Sequence, residues 1–118
     1  LNLIHVKVGT SEAEVTVGGT VEHGHPNIVI INGLDMDLVP EHGTFLLACD
    51  NEDRPGMIGR VGTLLGGWDI NIQSMQVGRR GRRGRALMVI AVDESPTPEQ
   101  LDAIEAIDGI YNVRLVRF

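Results

Sequence analysis

Hydrophobic positions divide the chain into two unlike halves. Up to Pro40 they come in short, strand-length bursts over residues 2–8, 14–21, 28–31 and 34–38. Turn chemistry separates them: Ser11-Glu12, Gly24-His25-Pro26-Asn27 and Asn32-Gly33, the last a strong hairpin signal. This predicts four strands and no helix, either a small sheet or part of one. Pro40-Glu-His-Gly43 reads as a boundary.

After Gly43 the period changes. Phe45-Leu-Leu-Ala-Cys49 is a continuous apolar run, short enough for a strand buried on both faces. Polar residues 50–53 follow. Pro55 is then expected just inside a helix, where its missing N–H costs nothing, with Asp53 or a neighbour as N-cap. Ile58, Val61, Leu65 and Trp68 repeat at helical spacing, flanked by Met57 and Leu64, and Gly66-Gly67 supplies the stop. Gly59, Gly62 and Gly66 form a second stripe, each costing up to about 1 kcal/mol relative to Ala. Close packing of this helix on something flat is the expected reason; loose helix propensity without purpose is the alternative. Residues 70–77 and 86–92 read as a hairpin around an Arg/Gly loop. Thr97 and Gln100 have capping-box spacing, and Pro98 opens a second helix. Leu101, Ile104 and Ile107 face inward, Asp108-Gly109 stops the helix, and residues 110–118 form a last strand.

From residue 44 onward the order is therefore β-α-β-β-α-β. With right-handed crossovers, this is an α+β, ferredoxin-like sandwich: an antiparallel four-stranded sheet with two helices on one face. A short all-β segment precedes it, so the expected division is 1–42 and 43–118. The second sheet face is apolar too, and is expected to pack on the first 40 residues or on a second copy. An edge strand offers a further route to a dimer with a continuous sheet.

Length and composition narrow the function. A chain of 118 residues is one domain, or one small domain with a piece of another. A two-domain dinucleotide-dependent enzyme does not fit, and there is no G-x-G-x-x-G, P-loop or G-x-S-x-G motif. The carboxylates are scattered, so no catalytic residue is assigned. The single Cys49 sits in an apolar run and reads as an inert buried thiol. Four histidines without a cysteine cluster or His-Glu-x-x-His helix give no metal site. No apolar run approaches the roughly 20 residues of a membrane span. Leu1 in first place and the absence of a signal peptide predict a piece of a longer cytoplasmic protein.

The formal net charge is -6, yet five arginines fall between Arg79 and Arg85. No aromatic residue interleaves them, which argues against single-stranded nucleic acid. The alternatives are a solvated hairpin tip or contact with an acidic surface.

The most informative stretch is Asn51-Glu-Asp-Arg-Pro-Gly56, followed by Asp69-Ile-Asn-Ile72. Free N–H groups around Gly56 and Met57 at a helix N-terminus can take a carboxylate. Asp53 can neutralise an ammonium group, and Asn51 and Asn71 carry donors and acceptors enough to orient an amino acid. The plainer alternative has Asp53 capping the helix and both asparagines serving turns. In the expected fold the two segments approach at one end of the sheet or across a symmetric dimer.

Asp53-Arg-Pro-Gly56, Gly59-Arg-Val-Gly-Thr-Leu-Leu-Gly66, Asp69-Ile-Asn-Ile-Gln-Ser-Met-Gln-Val-Gly78 and Ala86-Leu-Met-Val-Ile90 resemble an ACT domain, a small amino-acid-binding regulatory module. The resemblance covers about residues 43–118. It is similar in particular to the C-terminal regulatory region of the D-3-phosphoglycerate dehydrogenase family. Upstream, Val17-Gly-Gly-Thr-Val21 and Ile28-Val-Ile-Ile-Asn-Gly33 resemble part of that family's intervening, allosteric substrate-binding domain. The resemblance implies a parent enzyme that oxidises 3-phosphoglycerate with NAD at the start of serine biosynthesis, while these residues hold no cofactor. It implies dimers or higher oligomers through ACT domains, contact with the parent's catalytic domains, and L-serine or another small amino acid at the interface. The family's ligand residues map onto Asn51, Asp53 and Asn71; Asn51 departs from the pattern, in which His or Tyr is common. Two alternatives stand beside this: the regulatory part of an iron–sulfur L-serine dehydratase β subunit, and an ACT dimerisation module without ligand.

Overall fold

The computed structural model describes residues 3–9, 14–22, 25–31, 34–38, 43–79 and 84–117. Among these, the strands of the first half are β1 (Leu3–Gly9), β2 (Glu14–Glu22), β3 (His25–Ile31) and β4 (Leu34–Leu38). They form one antiparallel meander in chain order. The turn expected at residues 24–27 is shorter than its chemistry predicted: β3 already pairs at His25, Pro26 and Asn27 with Glu22, Val21 and Thr20. Pro26 is tolerated because it lies past the last β3–β4 pair, Ile28 with Leu38, where its missing N–H is not needed.

The second half contains β5 (Phe45–Glu52), α1 (Met57–Gly67), β6 (Ile72–Arg79), β7 (Arg85–Val92), α2 (Pro98–Glu105) and β8 (Ile110–Arg117). Their sheet order is β6-β7-β5-β8, antiparallel at every described pairing, which is the expected ferredoxin-like arrangement. β5 runs through the polar Asp50, Asn51 and Glu52 because it is central: Asn51 pairs with Ala86 on one side and Ile110 on the other. β6 starts later than expected, at Ile72, after Asp69 takes a left-handed turn with φ 58°.

Three local expectations are corrected. Pro55 precedes α1 rather than opening it, and Asp53 does not cap it. The N-cap is Gly56, left-handed at φ +90°, with no side-chain cap. The inward stripe of α1 is Met57, Val61 and Leu65, whereas Ile58 is 50% exposed. Finally, a Cβ at Gly59, Gly62 or Gly66 would meet nothing within 4 Å, so close packing inside the chain does not explain that stripe. The α2 start is as expected: Thr97 Oγ1 accepts from the Gln100 N–H, and the Gln100 side chain accepts from the Thr97 N–H.

Both helices cover one sheet face. Met57, Val61 and Leu65 of α1 and Ile104 of α2 pack into one cluster with Leu47, Cys49, Met88, Ile90 and Val92. Burying each such side chain contributes about 1.5–3 kcal/mol. Burial also pushes the Cys49 thiol up to about 12. Alternate residues Leu46, Ala48, Leu87, Val89 and Ala91 point to the opposite face, and they too are buried. β4 also passes beside β6, without sharing a hydrogen-bonded ladder with it.

Candidate effector site

The C-terminal end of β5 and the turn into α1 form a densely tied corner. The Asp53 N–H donates to the Gly84 carbonyl at 2.8 Å. The Asp53 carboxylate Oδ2 accepts from Arg79 Nε at 2.8 Å and lies 2.7 Å from Arg79 Nη2. The turn is thus stitched to both arms of the β6–β7 hairpin. Arg54 reaches the other way. Its Nη2 donates to the Asp108 carbonyl and carboxylate, both at 2.9 Å, and its Nη1 lies 3.2 Å from Glu52. The Asp108 bond, first among the causes, raises the Arg54 pKa above its ordinary value. Gly109 is required beneath this tether. It has φ +92°, and a Cβ there would sit 2.9 Å from Arg54 Nη2 and from Met57 Sδ.

The five expected site residues occupy unlike positions. Asn51 is buried at 3% exposure; its Nδ2 donates to the Glu52 carbonyl at 2.8 Å, and its Oδ1 has no partner among the described residues. The Met57 side chain belongs to the core, so only its backbone faces this corner. Gly56 is exposed and leaves the first turn of α1 without a side-chain cap. Asp53 is committed to Arg79.

Asn71 lies elsewhere. Its N–H donates to Glu94 Oε2 at 3.0 Å and its Nδ2 to Asp93 Oδ2 at 2.7 Å. The Gln73 side-chain amide also donates to Asp93, and these two bonds, Gln73's the larger, hold the Asp93 carboxyl below the usual range. The neighbouring Ile72 pairs with Val92, the residue opposite Phe45 at the start of β5; Arg79 pairs with Ala86, opposite Asn51 at its far end. Seven strand steps at about 3.3 Å each put Asn71 roughly 20 Å from the Asp53 corner. The expectation that the two segments meet at one end of the sheet is therefore not met within one chain.

Sequence reasoning missed the ties made by the arginines. Arg79 grips Asp53, and Arg85 Nε donates to the Tyr111 hydroxyl at 2.8 Å with its guanidinium 4.7 Å from the ring centre. These two arginines have partners inside the fold rather than forming a solvated tip; Arg80, Arg82 and Arg83 lie outside the described residues. The Asp53–Arg79 pair spans 26 residues, so only the hairpin register, not any local spacing, could have signalled it.

The ACT domain family profile matches residues 45–109, from the start of β5 to the turn before β8. The chain belongs to the ACT domain family. It is 38% identical over 98% of its length to the D-3-phosphoglycerate dehydrogenase of Archaeoglobus fulgidus, and spans 22% of that protein. The corresponding figures are 36%, 98% and 22% for the D-3-phosphoglycerate dehydrogenase of Bacillus subtilis. For the chloroplastic D-3-phosphoglycerate dehydrogenase 2 of Arabidopsis thaliana they are 35%, 82% and 15%. The chain thus spans about a fifth of the length of these relatives. As an ACT domain it is a regulatory module of a family that generally binds small amino acids and associates. No helix among the described residues is long and apolar enough to cross a membrane.

Proposed function

We propose that this chain is the regulatory, dimerising part of a cytoplasmic D-3-phosphoglycerate dehydrogenase, and that it takes L-serine between two ACT domains. The relatives support the parent activity, NAD-dependent oxidation of 3-phosphoglycerate. NAD would be held elsewhere in that protein. The described residues do not fit it: neither sheet has two adjacent parallel strands, and no G-x-G-x-x-G turn leads into a helix.

One observation carries the effector reading: Asp53 and Asn71 stand at the two ends of the sheet. A ligand touching both must bridge two copies. β6 is an edge strand of its sheet, with Arg79 at one end and Asn71 just before the other. A twofold, antiparallel arrangement of two such edges sets Asn71 of one copy beside Asp53 of the other. The adjoining flank of α1 carries exposed Ile58 with Gly62 and Gly66, whose missing side chains let a second helix approach.

The chemistry suits a zwitterion. The uncapped first turn of α1, from Gly56 and Met57, offers N–H groups to a carboxylate. Asp53 offers a counter-charge for the ammonium. Asp93 takes one of the two Asn71 Nδ2 hydrogens, and Asn71 Oδ1 stands as an acceptor for a ligand ammonium or hydroxyl. Asn51 lies beneath the corner, where its unpaired Oδ1 still needs a donor. Serine regulates only if it binds two arrangements of the dimer with different affinity.

The buried Asn51 and the engaged Asp53 favour a second reading, a dimerisation module without ligand. Titrating the isotope-labelled protein with L-serine, with D-serine as control, separates the two. Shifts confined to residues 51–57 and 71 are expected with L-serine alone. A flat response in a demonstrably dimeric sample overturns serine sensing.

A further inference from the structure

Asp53 is the acidic member of the proposed site, yet its carboxylate is already paired. Arg79 holds Oδ2 through both Nε and Nη2, at 2.8 and 2.7 Å. The pair is accessible, with the Asp53 side chain 20% exposed and that of Arg79 54% exposed. Both residues line a shallow pocket of about 410 Å³ with Arg54, Pro55, Ile58 and Val77. The pocket's other described guanidinium, Arg54, is committed to Asp108 and Glu52. Among the described residues of this pocket, Arg79 is thus the cation that can exchange partners.

An amino acid carries one charge of each sign, as this pair does. An ammonium entering at Asp53 displaces Arg79 from Oδ2, and the released guanidinium needs an anion. The ligand's own carboxylate supplies it, in the planar two-oxygen geometry that a guanidinium fork matches. The Arg79 side chain is 54% exposed, so water can solvate its guanidinium as the pair opens. A bare amine would leave Arg79 without its partner, and a bare carboxylic acid would leave Asp53 holding Arg79.

We infer that Arg79 is a specificity-determining residue of the effector site: the Asp53–Arg79 pair opens and a zwitterion inserts, ammonium to Asp53 and α-carboxylate to Arg79. The inference rests on the effector reading above and places the Arg79 guanidinium on the same α-carboxylate that the α1 N–H groups receive.

Calorimetric titration of the purified dimeric protein tests it, with L-serine and with L-serinamide at pH 6, where the serinamide amine is protonated. Losing a hydrogen bond to a charged group predicts about tenfold or greater preference of the native protein for L-serine. In Arg79→Gln that preference should fall severalfold, and Arg79→Lys, which keeps the charge but loses the fork, should fall between. Native-like melting of both variants shows that the fold is intact. Undiminished preference in Arg79→Gln overturns the assignment of Arg79 while leaving the effector reading standing. No binding of L-serine to the native protein overturns that reading and this inference together.

Discussion

Asn51 and Asn71 stand at opposite ends of the helix-bearing sheet: Asn51 pairs with Ala86, while Asn71 directly precedes Ile72, the partner of Val92. The cause is topological. β5 and β6 both run antiparallel to β7 and hence parallel to each other, and α1 carries the chain back along the sheet between them. Residues flanking such a crossover helix are kept apart by its length, about 16 Å for 11 residues at 1.5 Å each. A ligand touching both segments therefore calls for a second chain.

Gly56 should resist substitution for a conformational reason alone. Its φ is +90°, and a Cβ there meets nothing within 4 Å. Gly56→Ala is expected to lower unfolding free energy by about 1–2 kcal/mol, the cost of the left-handed region for an L-residue. Urea denaturation measures it, and an unchanged midpoint would contradict the left-handed turn into α1.

Leu65 and Ile58 should separate folding from association. Leu65 is fully buried in α1. Leu65→Ala should cost about 2–5 kcal/mol in the same urea experiment. Ile58 is 50% exposed, so Ile58→Ser should change stability by no more than about 0.5 kcal/mol. If the flank of α1 joins two copies, Ile58→Ser should instead weaken the dimer in sedimentation velocity. A variant that stays fully dimeric counts against that surface.

Asp93 sets the pH behaviour of the Asn71 end. Hydrogen bonds from Gln73 and Asn71 depress its folded pKa. The ionised carboxylate therefore stabilises the fold above its unfolded pKa of about 3.9, and that contribution is lost as pH falls through the lower folded value. Asn71 should keep its orientation through the neutral range. An NMR titration should place the Asp93 midpoint below the ordinary value and higher in Asn71→Ala. A midpoint that does not move in the variant would contradict the Asn71 bond.

Much of this architecture was legible in the hydrophobic pattern, because Phe45–Cys49, Val61/Leu65 and the Thr97/Gln100 box are local signals. The wrong details share a cause, since tertiary pairing overrode local chemistry. β5 continued through three polar residues because strands lie on both sides of it. Asp53 left the helix N-terminus for an arginine 26 residues away. Asn51 looked like a surface turn residue, but its place in a central strand buries it. The separation of Asn51 from Asn71 was implicit in the β-α-β order and needed only the rule that a crossover joins parallel strands.

The most direct test is complementation between two defective chains. Asp53→Ala and Asn71→Ala should each abolish L-serine binding as homodimers. Mixed and reassociated, they should regain binding, with one intact site in each heterodimer formed from Asp53 of one chain and Asn71 of the other. Failure to regain any binding, in heterodimers shown to have formed, would contradict a site shared between two copies.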